Sequence, residues 1–126
     1  MLMSILHNLM GNAIESTVVH SEVSNSLIEK ETIIKAYKLI RDEIVFTSHR
    51  LIFVDKQGIT GKKIEILSVP YSSISKFAKE SAGTFDLDEE LKIWLGSEPV
   101  PLVYKFKKGT SLDQVYKLLS EVVLKD

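Results

Sequence analysis

The chain has 126 residues, of which 44% are hydrophobic and 26% charged, a composition typical of a single globular domain. Its 16 Lys and Arg against 17 Asp and Glu leave a net charge of -1, which argues against a general nucleic-acid binder because such proteins carry a basic excess. The absence of cysteine excludes disulfide frameworks, thiolate nucleophiles and cysteine-based metal centres.

The first ten residues carry an apolar stripe with the spacing of one helical face, which predicts a short amphipathic helix ending near Gly11. The stripe consists of Leu2, Ile5, Leu6, Leu9 and Met10. Lys30 is the first lysine, so the basic flank of a secretory signal is missing, and no apolar run is long enough to span a bilayer. We therefore expect a cytoplasmic protein.

Residues 16–25 are polar and predict a connector, followed by a second brief helix over residues 26–30. From residue 31 the pattern changes to β-branched and aromatic runs separated by turn residues. We therefore divide the chain into an N-terminal helical segment and connector, 1–30, and a domain, 31–126.

Seven such runs predict seven strands. They are 33–39, 44–47, 51–55, 63–67, 74–79, 85–95 and 100–107. The sixth alternates clearly, with Leu91 and Ile93 on the apolar side and Glu90 and Lys92 on the polar side. Trp94 lies on the polar side, which indicates a bulge or a covered face there. In the fifth run Ile74 and Phe77 have opposite parities, which predicts a bulge or a strongly bent edge.

After Gly109 the apolar period changes from two to 3.6 residues, which predicts a C-terminal amphipathic helix. Its apolar face comprises Leu112, Val115, Tyr116, Leu119, Val122 and Val123. Ser111 followed by Gln114 is the pattern of a capping box, so we expect the helix to begin at Ser111.

Seven strands closed by one helix suggest a small, bent antiparallel barrel, and several sequence blocks agree with this. The blocks are 39–42 (LIRD), 45–47 (VFT), 50–63 (RLIFVDKQGITGKK), 70–71 (PY), 82–88 (AGTFDLD) and 90–92 (ELK). In this order they resemble the bacterial pleckstrin-homology (PH) domain family, and residues 6–13 look like that family's N-terminal segment.

The resemblance implies a mostly β, partly open PH-like barrel, with seven antiparallel strands in two near-orthogonal sheets and a C-terminal helix. It also implies homo-oligomeric rings. Because the family has no established enzymatic reaction and no agreed ligand, the resemblance predicts the architecture of this chain better than its function.

Three lysines, Lys56, Lys62 and Lys63, surround a predicted hairpin tip whose Gly58 and Gly61 supply backbone freedom. The tip is either a solvated turn or an anion site. Three lysines at an anionic leaflet contribute about 3 kcal/mol, too little for a monomer, so binding to anionic lipid or phosphate would need several copies on one surface.

Two arginines, Arg41 and Arg50, lie beside turns that contain or adjoin Asp42 and Asp55, and we interpret them as structural arginine–carboxylate contacts. The acidic run at Asp86, Asp88, Glu89 and Glu90 could suggest a divalent cation or a general acid, but its alternation favours a polar strand face. We expect no metal.

The three histidines are scattered and no nucleophile motif is present, so we expect neither an enzyme nor a cofactor. The apolar stripe of Leu2, Ile5, Leu6 and Leu9, together with Trp94, is the candidate oligomer interface. The leading hypothesis is a non-enzymatic, self-assembling interaction module with a protein partner and no nucleic acid. The alternative is a weak binder of anionic lipid or phosphate through the hairpin.

Overall fold

The computed structural model describes residues 19–39, 42–57, 63–81, 83, 85, 88–107 and 111–124. Several predicted features lie outside these ranges: the helix over residues 2–10 with its stripe at Leu2, Ile5, Leu6 and Leu9, and also Arg41, Gly58, Gly61 and Lys62. Among the described residues, no helix combines the length and the apolar character needed to cross a membrane.

The chain divides into two compact units, Met1–Val69 and Pro70–Asp126. The first contains a short helix and four strands in the sheet order β1-β2-β3-β4. Its elements are α1 (Ser21–Ser26), β1 (Ile33–Lys38), β2 (Glu43–Thr47), β3 (Arg50–Gln57) and β4 (Lys63–Pro70).

One side of this first sheet forms an apolar core with α1. Ala36, Val45 and Ile52 stand opposite one another across β1, β2 and β3, and all three are buried. Val23 of α1 belongs to the same cluster and has no exposed surface. Residues that precede the first strand therefore contribute to the core of this unit.

The predicted helix at 26–30 is wrong in position, because the helix is Ser21–Ser26 and residues 29 and 30 form a turn. Its start is stabilised by His20, whose Nδ1 accepts a hydrogen bond from the backbone N–H of Glu22 at 3.1 Å. With Val23 its one buried residue, α1 carries too little apolar pattern to be recognised from sequence.

The second unit contains three strands in the order β5-β6-β7 and a long helix. Its elements are a 3₁₀ turn (Tyr71–Ser73), β5 (Ile74–Glu80), β6 (Asp88–Leu95), β7 (Leu102–Lys107) and α2 (Leu112–Val123). The register shifts between Ile74 and Lys76, which confirms the bulge predicted in this strand.

Two strands begin later than predicted. β6 starts at Asp88, not at Phe85, whose side chain is 96% exposed. β7 starts at Leu102, directly after Pro101, which has no N–H to donate to a strand ladder. In both cases the sequence prediction included apolar residues of the preceding loop in the strand.

The helix α2 packs on the second sheet through its predicted apolar face, with Leu112, Val115 and Leu119 buried. The ring of Phe77 on β5 lies edge-on to Tyr116 at 5.3 Å between centroids. Ser111 is the N-cap residue as expected, but its hydroxyl makes no capping hydrogen bond, so the predicted capping box does not form.

The architecture is therefore mostly β, with seven antiparallel strands in two sheets and a C-terminal helix, as the sequence predicts. Within the described ranges the strands do not join into one closed barrel, because the hydrogen-bonded strand order is interrupted between β4 and β5.

Candidate functional site

The sheet of the second unit has two chemically different faces, set by the alternation along its strands. One face packs on α2, where Lys79 contacts Asp113 and Tyr116. The opposite face, here called the Trp94 face, carries a mixture of charged and apolar side chains. Its members are Lys76, Ala78 and Glu80 on β5, Asp88, Glu90, Lys92 and Trp94 on β6, and Val103, Lys105 and Lys107 on β7.

Trp94 is half-buried on this face, and its ring makes a cation–π contact with a lysine. Lys76 stands opposite Trp94 in the β5–β6 register, and its Nζ lies 4.8 Å from the ring centroid. Such a cation–π contact contributes about 0.5–1 kcal/mol at an exposed site. The hydroxyl of Ser75 also donates to the Trp94 carbonyl oxygen at 3.1 Å. Lys76 thus contacts the indole ring, and Ser75 contacts the backbone of the same residue.

Apolar side chains are also found on the neighbouring strands of this face and in the turn before β7. Ala78 is half-buried beside it on β5, and Val103 on β7 is 45% exposed. Val100, in the turn that leads into β7, is 76% exposed.

The charges of this face are arranged in rows by the strand register. Glu80, Glu90 and Lys105 lie in one row across the three strands, and Asp88 stands opposite Lys107 in the next. The Nζ of Lys92 pairs with Glu80 Oε2 at 2.8 Å, and this hydrogen bond and its charge raise the pKa of Lys92.

These rows place opposite charges beside one another on the Trp94 face. Glu90 stands opposite Lys105 and Asp88 opposite Lys107, while Glu80 pairs with Lys92.

The predicted lysine hairpin is only partly described. Lys56 lies at the end of β3, where its Nζ is 3.6 Å from Glu43 Oε2 and its backbone N–H donates to Asp42 Oδ1 at 3.3 Å. Lys63 is the exposed first residue of β4, and Asp55 is half-buried in β3. One of the three lysines thus already faces a carboxylate, which reduces the positive charge offered to an anion.

Arg50 binds a carboxylate that the sequence analysis did not single out. Its Nε and Nη2 donate to the two oxygens of Glu31 at 3.0 and 2.9 Å. The remaining guanidinium N–H groups donate to Ser68 Oγ at 3.0 Å and to the Ser26 carbonyl at 2.6 Å. This arginine therefore joins α1, β3 and β4 and is structural.

The Glu31 side chain has no exposed surface. Burial alone raises its pKa, but hydrogen bonds from Arg50, Thr47 and the Ile28 backbone N–H, with the charge of Arg50, lower the pKa to about 2. No local sequence signal marks the pair, because Glu31 and Arg50 are 19 residues apart and meet only when β1, β2 and β3 align.

The described residues contain no group of three or more His, Asp or Glu side chains that could hold a metal ion. Asp88 and Glu90 lie on one face of β6, where successive side chains are about 7 Å apart, and Glu80 stands opposite Glu90 on β5.

Comparison with known proteins agrees with the architecture. The model of the bacterial PH domain family matches residues 4–123. The uncharacterised protein YjqA of Bacillus subtilis (strain 168) is 50% identical over 125 residues, covering 97% of this chain and 100% of YjqA.

Two solved structures are also similar. A pleckstrin homology domain from Shewanella amazonensis SB2B is 45% identical, with a TM-score of 0.81 over 95% of this chain and 98% of its own. A DUF1696-family protein with a pleckstrin-homology domain from Shewanella loihica PV-4 is also 45% identical, with a TM-score of 0.69 over 82% and 88% of the two chains.

Proposed function

This chain belongs to the bacterial PH domain family, and from that premise we propose that it is a non-enzymatic interaction module that self-assembles and presents copies of one surface to a protein partner. The observation that carries the proposal is the Trp94 face, where Lys76 contacts the indole ring and Val103 on the same face is exposed. Tryptophan is among the residues that contribute most to the free energy of protein–protein binding.

Rigid sheet residues suit this role because they lose little conformational freedom on binding. Lys76 stacks on Trp94 and Lys92 is held by Glu80, so neither side chain has to be ordered from a fully mobile state. A β-sheet supports both contacts, and its register sets their spacing.

Solution mass is the direct test of self-assembly. Light scattering on the full chain across roughly 1–100 µM should give a mass above that of one 14.2 kDa chain, with the number of copies read from the plateau. A ring, which the family resemblance implies, predicts one closed size that does not grow with concentration. A single-chain mass throughout this range would refute self-assembly.

Binding to anionic lipid through Lys56, Lys62 and Lys63 is the competing function, and it receives less support because Lys56 already faces Glu43. Co-sedimentation with phosphatidylserine vesicles at low and high salt separates the two. If the chain bound lipid through these lysines, vesicle binding would weaken at high salt and would be lost when all three are replaced by alanine. The assembly proposal predicts no such binding.

A further inference from the structure

The segment that precedes β1 lies on the first sheet with very little of its surface buried. From Ser21 to Lys30, Val23 is the one buried residue and Leu27 the one half-buried residue. Val23 belongs to the apolar cluster of the sheet, and Leu27 packs against the same cluster together with Val19. A six-residue helix is well below the length at which a helix is stable alone, so these few contacts hold α1 in place.

The side chain of Arg50 on β3 clasps the far end of this segment. Its Nη2 donates to the carbonyl oxygen of Ser26, the last residue of α1, at 2.6 Å. Its Nε and Nη2 also donate to the two carboxylate oxygens of Glu31, which accepts a further hydrogen bond from the Thr47 hydroxyl. Ile28, between the two clasped residues, is 58% exposed. The turn from Ser26 to Glu31 is therefore fixed to the sheet largely through one guanidinium group.

The surface under α1 is apolar and belongs to paired strands. Ala36 on β1, Val45 on β2 and Ile52 on β3 stand opposite one another, and each is at most 1% exposed. We propose that residues 19–31, here called the strap, open as a unit while the strands stay folded, with Arg50 as the latch. Segments with few buried contacts open at a lower free-energy cost than the whole protein unfolds. The strap thereby controls access to an apolar strip that is already built into the sheet.

A strained residue at the end of the strap favours opening. Lys30 has a φ of 69°, in the left-handed region that residues with a Cβ rarely adopt. The turn is closed around it, because the backbone N–H of Glu31 donates to the Ile28 carbonyl oxygen at 3.0 Å. When the latch releases Glu31, Lys30 can return to a favoured backbone conformation, which relieves the strain.

Thiol labelling tests the strap directly, because the chain contains no cysteine. Three variants each carry one buried cysteine. They are Val23→Cys in the strap, Val45→Cys beneath it, and Ile44→Cys, which precedes Val45 on β2 and therefore lies on the other side of the sheet. With an aromatic disulfide reagent at neutral pH, the first two should react at least tenfold faster than Ile44→Cys, because opening of the strap exposes both and leaves Ile44 covered.

Sub-denaturing urea separates local opening from global unfolding. The effect of urea on a free energy scales with the surface that becomes exposed. Labelling of Ile44→Cys should accelerate steeply with urea, because it needs the sheet to unfold. Labelling of Val23→Cys should depend only weakly on urea, because the strap is short.

Arg50→Lys tests the latch. The lysine keeps the positive charge but lacks the planar fork that binds Glu31 and Ser26 at once. Labelling of Val23→Cys should therefore become about tenfold faster in this background.

The matched control is Phe46→Leu, a substitution of a buried residue on the side of the sheet that the strap does not cover. Phe46 stays packed when the strap opens. This variant should speed the labelling of Ile44→Cys about tenfold and leave that of Val23→Cys within about twofold.

Hydrogen exchange on the unsubstituted chain gives a second measurement, which decides the question where a cysteine variant fails to fold. The backbone N–H groups of Val23 and Ser24 donate to the His20 carbonyl oxygen at 2.9 and 3.4 Å. They should exchange at least tenfold faster than the hydrogen-bonded amides of β2.

Two results would overturn the strap. One is equal labelling rates at all three cysteines with the same dependence on urea, and the other is equal protection of the Val23, Ser24 and β2 amides. Either would show that the strap opens only when the sheet unfolds. An unchanged Val23→Cys labelling rate in the Arg50→Lys background would overturn the role of Arg50 as the latch.

Discussion

Replacing Glu31 with glutamine should destabilise the protein by about 3 kcal/mol at neutral pH. The substitution keeps the size of the side chain but removes the charge that faces Arg50, so an amide N–H₂ replaces one oxygen that accepts hydrogen bonds from Arg50, Thr47 or Ile28. Leaving one member of a buried ion pair without its partner generally costs about 3–5 kcal/mol.

The pKa of Glu31 predicts a similar contribution to the free energy of unfolding. It falls from 4.5 to about 2 on folding, and at about 1.4 kcal/mol per pH unit this difference contributes up to about 3 kcal/mol above pH 4.5. Because the folded-state pKa is the lower one, this stability is present at neutral pH and is lost as the pH falls towards 2. By pH 3, about 2 of these 3 kcal/mol should be gone.

Urea unfolding followed by far-UV circular dichroism at pH 7, 5, 4 and 3 measures the effect on the wild type and on Glu31→Gln. The difference in unfolding free energy should shrink from about 3 kcal/mol towards 1 kcal/mol across this series. The control is Glu80→Gln in the exposed Lys92 pair, which should change stability by about 0.5 kcal/mol or less. A Glu31→Gln cost below about 1 kcal/mol at pH 7, or one independent of pH, would refute the buried-pair argument.

Three further substitutions test individual contacts. Val23→Ala should cost about 2 kcal/mol in urea unfolding, because Val23 is fully buried against the first sheet; no loss would mean that α1 does not belong to that core. Ser111→Ala should lower the unfolding free energy by less than about 0.5 kcal/mol, because the buried Ser111 hydroxyl has no hydrogen-bond partner among the described residues. Loss of an N-cap serine that does make its capping hydrogen bond typically costs about 1 kcal/mol, and a loss of that size would contradict the prediction. A double-mutant cycle on Lys79 and Asp113 should give a coupling below about 1 kcal/mol, since Asp113 is 89% exposed, and a larger coupling would show a less solvated pair.

The C-terminal helix and most strands could be predicted from sequence because their signals are local. Alternation along β6 identified Leu91 and Ile93 as buried, and the 3.6-residue period identified the buried face of α2. The bulge in β5 was also visible, as a break in parity that the register shift after Ile74 confirms.

The site was less predictable. Trp94 could be singled out from the sequence because it interrupts the alternation of apolar residues along its strand. Its contact with Lys76 could not be predicted, because it depends on the pairing of β5 with β6. The roles proposed for Lys62, Gly58, Gly61 and Arg41 concern residues outside the described ranges and stay predictions.

The sequence by itself determined the order of elements, the architecture and the buried sides of β6 and α2, because backbone geometry imposes a period that each segment must satisfy alone. Only the tertiary structure decided which distant residues meet. Glu31 reaches Arg50 across 19 residues, and the Trp94 face joins three strands whose charges form rows only in register. Pairing of this kind depends on the alignment of one strand with the next, which no single segment specifies.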